Sequence, residues 1–119
     1  MRRGEVWWVA ARSSGPGRKR RPWLIVSDDL FNANPGYDKV MAVHLTSVRR
    51  PGGPYPWEVD LPKGAANLDR HSVIKCGEVQ TRAKDQLESL VGTLPRELMA
   101  RVDRALAIAL ALPYPRGEG

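Results

Sequence analysis

Arg21, Thr46 and His44 are the side chains whose types and positions could do chemistry. Arg21 ends the basic run Arg18-Lys19-Arg20-Arg21 and directly precedes Pro22, which biases it towards an extended conformation. A guanidinium stays charged at any physiological pH and meets phosphate oxygens through two parallel N–H bonds. Thr46 closes the apolar run Val40-Met41-Ala42-Val43-His44-Leu45 and is followed by Ser47, Arg49 and Arg50. Hydroxyls at a strand's exit can donate to a phosphate that the cations beyond them attract. In a strand His44 shares a face with Thr46, and an imidazole there can move a proton. Each residue also has a plainer explanation: Arg21 as a solvated hairpin arginine, Thr46 and Ser47 as turn caps, His44 as a structural residue.

Other chemistries find no residues to perform them. The sequence holds no CxxC pair, HExxH, Walker loop or GxSxG. Two histidines and the single Cys76 are too widely spaced for a zinc site. A metal-dependent nuclease would want clustered carboxylates, and the nearest approach, Asp28-Asp29, suits capping or solvation. What remains is chemistry without a metal or cofactor. RNA is a polymer such a site can break, because its 2′-hydroxyl attacks the adjacent phosphorus. The protein then needs only to position the backbone, move protons and stabilise charge.

The charge balance fits a polyanionic partner. Nineteen Lys and Arg oppose thirteen acids, a formal +6, which favours nucleic acid by steering and counterion release and would equally keep a surface soluble. Arg12 and Arg18 to Arg21 fall in a window without an acid, whereas the C-terminal half alternates signs. A lone cysteine excludes an internal disulfide and suits a reducing compartment. The N-terminus has no signal-like apolar region, and Ala105 to Leu112 is far shorter than the ~20 residues of a membrane span. These features predict a soluble, cytoplasmic protein.

The elements that must hold these residues follow from periodicity. Strands are expected at Val6–Val9, Pro22–Ser27, Val40–Thr46, Trp57–Leu61, Ser72–Cys76 and Glu78–Thr81, with Gly77 a bulge between the last two. Ser13-Ser14-Gly15-Pro16-Gly17 and Pro51-Gly52-Gly53-Pro54 mark turns, and Asp28 to Asn32 a short helical turn. One helix runs from Pro95, in its first turn, to near Leu112, where Pro113 stops it; Thr93 or Leu94 caps it. Trp7 and Trp8 must face opposite sides of their strand; like Trp23 and Trp57, each could serve the core, a subunit interface or base stacking. The pattern predicts one domain over residues 1–113 with a disordered tail, 114–119. Its fold class is mainly β with a C-terminal helix that closes a strongly curved sheet.

The order of segments resembles the MazF/PemK toxin family from Arg3 to about Leu112. The segments are Arg3-Gly4-Glu5-Val6-Trp7-Trp8-Val9, Arg21-Pro22-Trp23-Leu24-Ile25-Val26-Ser27, Val43-His44-Leu45-Thr46-Ser47, Asp69-Arg70-His71-Ser72-Val73-Ile74, and the helical Leu98 to Leu106. The resemblance implies an SH3-like small barrel, a homodimer, and ribosome-independent cleavage of single-stranded RNA at a short sequence, leaving a 2′,3′-cyclic phosphate. It also implies a MazE-like antitoxin that masks the RNA groove, and no cofactor or metal. Carried over residue by residue, it makes Arg21 and Thr46 the catalytic pair: Arg21 stabilises the crowded phosphate and protonates the leaving oxygen, and Thr46 orients the phosphate. Arg18, Lys19, Arg20, His44, Ser47, Arg49, Glu78 and Gln80 are the expected RNA contacts. Glu78-Val79-Gln80 departs from the family's Gln-apolar-basic pattern, and the Arg12–Arg20 loop is Gly/Pro/basic, so a different cleavage sequence is expected. The alternatives are a CcdB-like gyrase poison, for which the chain lacks a C-terminal tryptophan, and a non-catalytic SH3-like nucleic-acid-binding module.

Overall fold

Alternation of buried and open side chains sets the strands, and the longest of them, β3, organises the rest. The computed structural model describes residues 1–10, 20–47 and 50–114. In chain order it contains β1 (Glu5–Val9), β2 (Arg21–Ile25), α1 (Asp29–Asn32), β3 (Lys39–Thr46), β4 (Val59–Leu61), β5 (Ser72–Ile74), β6 (Gln80–Ala83), β7 (Leu87–Thr93) and α2 (Arg96–Leu110). Tight 3-10 turns lie at Ala65–Asn67 and Lys84–Gln86. All pairings are antiparallel, in the order β4-β5-β3-β2-β1-β7, with β6 also on β3. The first half of β3, Lys39 to Ala42, pairs with β6, and its end, Leu45 and Thr46, pairs with β5.

The split of β3 produces two apolar clusters, one on each face of the sheet. Val6, Leu24, Val43 and Leu45 point one way, onto Val59, Leu61, Ile74, Cys76 and the Val102 and Ala105 face of α2. Val9, Trp23, Ile25, Val40 and Ala42 point the other way into the curl of β6-β3-β2-β1-β7, with Trp7 and Leu87 against them. Burying a Val, Leu or Ile side chain is worth roughly 1.5–3 kcal/mol, so both clusters hold the curvature. The edge strand β7 is covered by the Ala65–Asn67 turn, where Asn67 Nδ2 donates to the Val91 carbonyl at 3.1 Å. Gly92 is required there, because a Cβ would lie 2.4 Å from the Ala66 carbonyl oxygen. Arg3 ties the N-terminus to α2 through Asp103 at 2.7 Å.

The mainly β chain with a C-terminal helix forms as expected, and the sheet is not closed, since β4 and β7 end its path. Several local expectations are corrected. β7 was not anticipated, because Leu87 to Thr93 carries neither clean alternation nor β-branched density. Glu78 is not in a strand: Glu78 N–H bonds back to the Lys75 carbonyl at 3.0 Å, and Gly77 lies in that turn, not in a bulge. β2 begins at Arg21 and ends at Ile25, and Trp57 and Glu58 precede β4. Pro95, not Thr93 or Leu94, is the cap of α2, and the helix ends when Ala111 turns left-handed (φ 56°), before Pro113 acts. The α1 turn is capped by Asp28, whose carboxylate accepts from Leu30 N–H at 2.8 Å. The Tyr114 hydroxyl donates to the Ala100 carbonyl at 3.2 Å. The 13–17 turn and residues 115–119 lie outside the described residues.

Candidate active site

Arg21 opens β2 and Thr46 ends β3, and the strand register brings them together. Trp23 pairs with His44 and Ile25 with Ala42. Continuing that antiparallel register by two residues sets Arg21 opposite Thr46. On either side the row goes on, because Arg21 pairs with Val9, Thr46 with Val73, and Val73 with Asp60. Directly paired residues share a face, so Val9, Arg21, Thr46, Val73 and Asp60 form one line across the strands. The neighbouring line on that face holds Trp23, His44 and Lys75, the last donating its N–H to the His44 carbonyl at 3.1 Å.

A cleft of about 420 Å³ sits at the Arg21–Thr46 end of the row. Arg20, Arg21, Thr46 and Ser47 line it together with Trp8, Asp69, Arg70 and Ser72. Trp8, Pro22 and Leu45 also line it although they alternate to the opposite strand face, so the cleft reaches around the strand ends. Three guanidiniums against one carboxylate make it cationic. Arg20 lies over the Trp8 ring, 5.0 Å from its centroid, and pairs with Glu88 at 3.3 Å. Arg21 is exposed and, among the described residues, forms no ion pair. An exposed guanidinium without a carboxylate beside a hydroxyl is a site for an anion. Asp69 and Arg70 were given no role from the sequence, since only the turn before β5 carries them to the cleft.

The remaining expected contacts divide. His44 shares the Thr46 face but stands outside the cleft, with its ring 5.3 Å from Trp23 and Nε2 3.1 Å from Glu78 Oε1. That hydrogen bond lowers the Glu78 carboxyl from its ordinary value, against a smaller opposing effect of burial. Gln80 accepts from Arg82 at 3.0 Å, and Arg82 in turn lies over the Trp23 ring, 4.3 Å from its centroid. Neither Glu78 nor Gln80 lines the cleft. Arg18, Lys19 and Arg49 lie outside the described residues. Cys76 is in the main core, where burial pushes its thiol up to about 12, so it is no nucleophile. Among the described residues no three His, Cys, Asp or Glu side chains are grouped to hold a metal ion, and no helix is long and apolar enough to cross a membrane.

Beyond Asp60 the row meets a second charged group. Glu58 is buried and accepts from Lys75 Nζ at 2.6 Å, Arg50 Nη2 at 2.8 Å and the Tyr55 N–H at 3.1 Å. Burial pushes its carboxyl up, but those donors outweigh burial and hold it down to about 2. Arg50 covers the Tyr55 ring at 3.9 Å, and Tyr55 stacks on Trp57 at 4.6 Å.

Comparison with known proteins places this geometry. A family model described as PemK-like, MazF-like toxin of type II toxin–antitoxin system matches residues 2–110. Endoribonuclease MazF6 of Mycobacterium tuberculosis is 34% identical over 112 residues, 92% of this chain and 96% of that protein. A solved mycobacterial endoribonuclease in complex with its cognate antitoxin superposes with a TM-score of 0.77 at 30% identity, covering 97% of this chain and 99% of that one. MazF in the MazE–MazF complex of Deinococcus radiodurans shares the fold, with a TM-score of 0.74 at 24% identity over 95% of this chain and 98% of that one.

Proposed function

The chain belongs to the PemK-like, MazF-like toxin family of type II toxin–antitoxin systems, and from that membership we propose that it cuts single-stranded RNA without metal or ribosome. The observation that carries this reading is Arg21: exposed, without an ion pair among the described residues, in register with Thr46, on a cationic cleft. The scissile phosphate lies between these two side chains. The 2′-oxygen attacks phosphorus, the bond to O5′ breaks as O5′ takes a proton from water, and a 2′,3′-cyclic phosphate and a 5′-hydroxyl result. Arg21 donates two N–H bonds to the non-bridging oxygens, whose charge grows in the crowded transition state, and Thr46 Oγ1 fixes one of them. Arg20, Arg70 and Ser47 hold flanking phosphates. His44, two residues before Thr46 on the same face and in the neighbouring line, takes the 2′ proton in this reading, with Glu78 setting its ring.

In the cell the partners are RNA and an antitoxin that covers the cationic cleft, with the toxin acting as a homodimer in the cytoplasm. The test is purified protein with mixed-sequence RNA in excess chelator. Cleavage is expected at a short shared sequence, and a 2′-deoxy substitution at the mapped cut should abolish it. Cleavage that survives the substitution rejects the 2′-oxygen as nucleophile.

A further inference from the structure

We infer that the cavity beyond Thr46, walled by Arg50, Glu58, Asp60, Val73 and Lys75, is a nucleobase pocket that selects a base carrying an exocyclic amine next to the cut. The cavity holds about 280 Å³ and nothing in the family match assigns it. Its position comes from the row: Thr46 pairs with Val73 and Val73 with Asp60. Two inter-strand steps of about 4.8 Å put Asp60 about 10 Å from Thr46, within the reach of one nucleotide whose phosphate sits at Arg21 and Thr46.

The charge pattern decides against a second phosphate. Two cations, Arg50 and Lys75, are already committed to Glu58 at 2.8 and 2.6 Å, and Asp60 adds a further carboxylate to the wall. An anion there would face Asp60 without an uncommitted cation. A neutral planar ligand with its own donors avoids that repulsion, and a base fits. The Glu58 clamp holds the Arg50 guanidinium over the Tyr55 ring at 3.9 Å, and planar guanidiniums stack on bases. Asp60 is only half-buried, and its ion pair with His71 is a loose 3.5 Å, so its carboxylate can accept from an amine. Ionised carboxylates accept from cytosine N4 and give uracil, with a carbonyl at that place, nothing to donate.

The polymer's identity rests on the RNA-cleaving reading, so the test has two arms. In the first, wild type, Asp60→Asn and Arg50→Ala cut randomised RNA, and the ends are sequenced. The wild type is expected to favour an amine-bearing base over uracil by about tenfold at one position beside the cut. Asp60→Asn should flatten that position while leaving the preferences at the other positions of the motif unchanged. In the second arm, dC and dU hexamers, which carry no 2′-nucleophile, are titrated by fluorescence anisotropy. The wild type should bind dC about tenfold tighter, and Asp60→Asn should bind both alike. Equal wild-type affinities, no binding of either, or a uniform loss across all sequences in the variant overturns the pocket. If the wild type cuts no RNA yet prefers dC in an Asp60-dependent way, the nuclease reading fails and the pocket stands.

Discussion

Arg21 lies on the row of side chains that leads to Asp60, Arg50 walls the cavity beside Asp60, and the surroundings of the two arginines are opposite. Arg21 is exposed with no carboxylate partner among the described residues, whereas Arg50 is clamped by the buried Glu58 at 2.8 Å. The same residue type therefore offers charge at one end and only a flat surface at the other. Charge without a partner suits a phosphate; a neutralised plane suits a base. Neither role follows from the arginine itself.

The sharpest way to break this contrast is Arg21→Ala. It should lower single-turnover cleavage by roughly 10²–10³-fold, the cost of losing one transition-state donor. RNA affinity by anisotropy should change only a few-fold, because Arg20 and Arg70 remain in the cleft. A fall in affinity equal to the fall in rate would make Arg21 a binding residue.

At the other end, Glu58→Ala leaves Arg50 and Lys75 without their carboxylate. A buried pair broken on one side costs about 3 kcal/mol, which a urea midpoint would report. A comparable effect comes from acid. Glu58 is depressed from 4.5 to about 2 in the folded chain, so its contribution is complete above 4.5 and lost as pH falls towards 2. Stability measured in urea across that window should drop by about 3 kcal/mol, and the drop should vanish in Glu58→Gln. The smallest expected effect is Thr46→Val, which keeps the shape and removes the hydroxyl. About tenfold in kcat, recovered by Thr46→Ser, would mark a hydrogen bond made in the transition state.

Much of this was legible along the chain. Arg21 before Pro22 announces an extended residue at a basic loop's exit, and Thr46 closes an unbroken apolar run, so both fall on strand ends. Alternation also places His44 on the Thr46 face, as found. β7 was not legible, because Leu87 to Thr93 is an edge whose cover, the Ala65–Asn67 turn, comes from elsewhere in the chain. The Glu58 clamp was equally hidden: Arg50, Glu58 and Lys75 follow no motif spacing and meet only because β4 and β5 pair.

Residue types and their periods are local properties, and they suffice to mark most of the strands and the closing helix, while the order of segments carries the family resemblance and, with it, Arg21 and Thr46 as the proposed catalytic pair. Which side chains share a row, which arginine is neutralised and where a cavity opens depend on register between strands far apart in sequence. Cross-strand pairing sets distances that no single segment encodes, so the cleft and the pocket beside it emerged from packing.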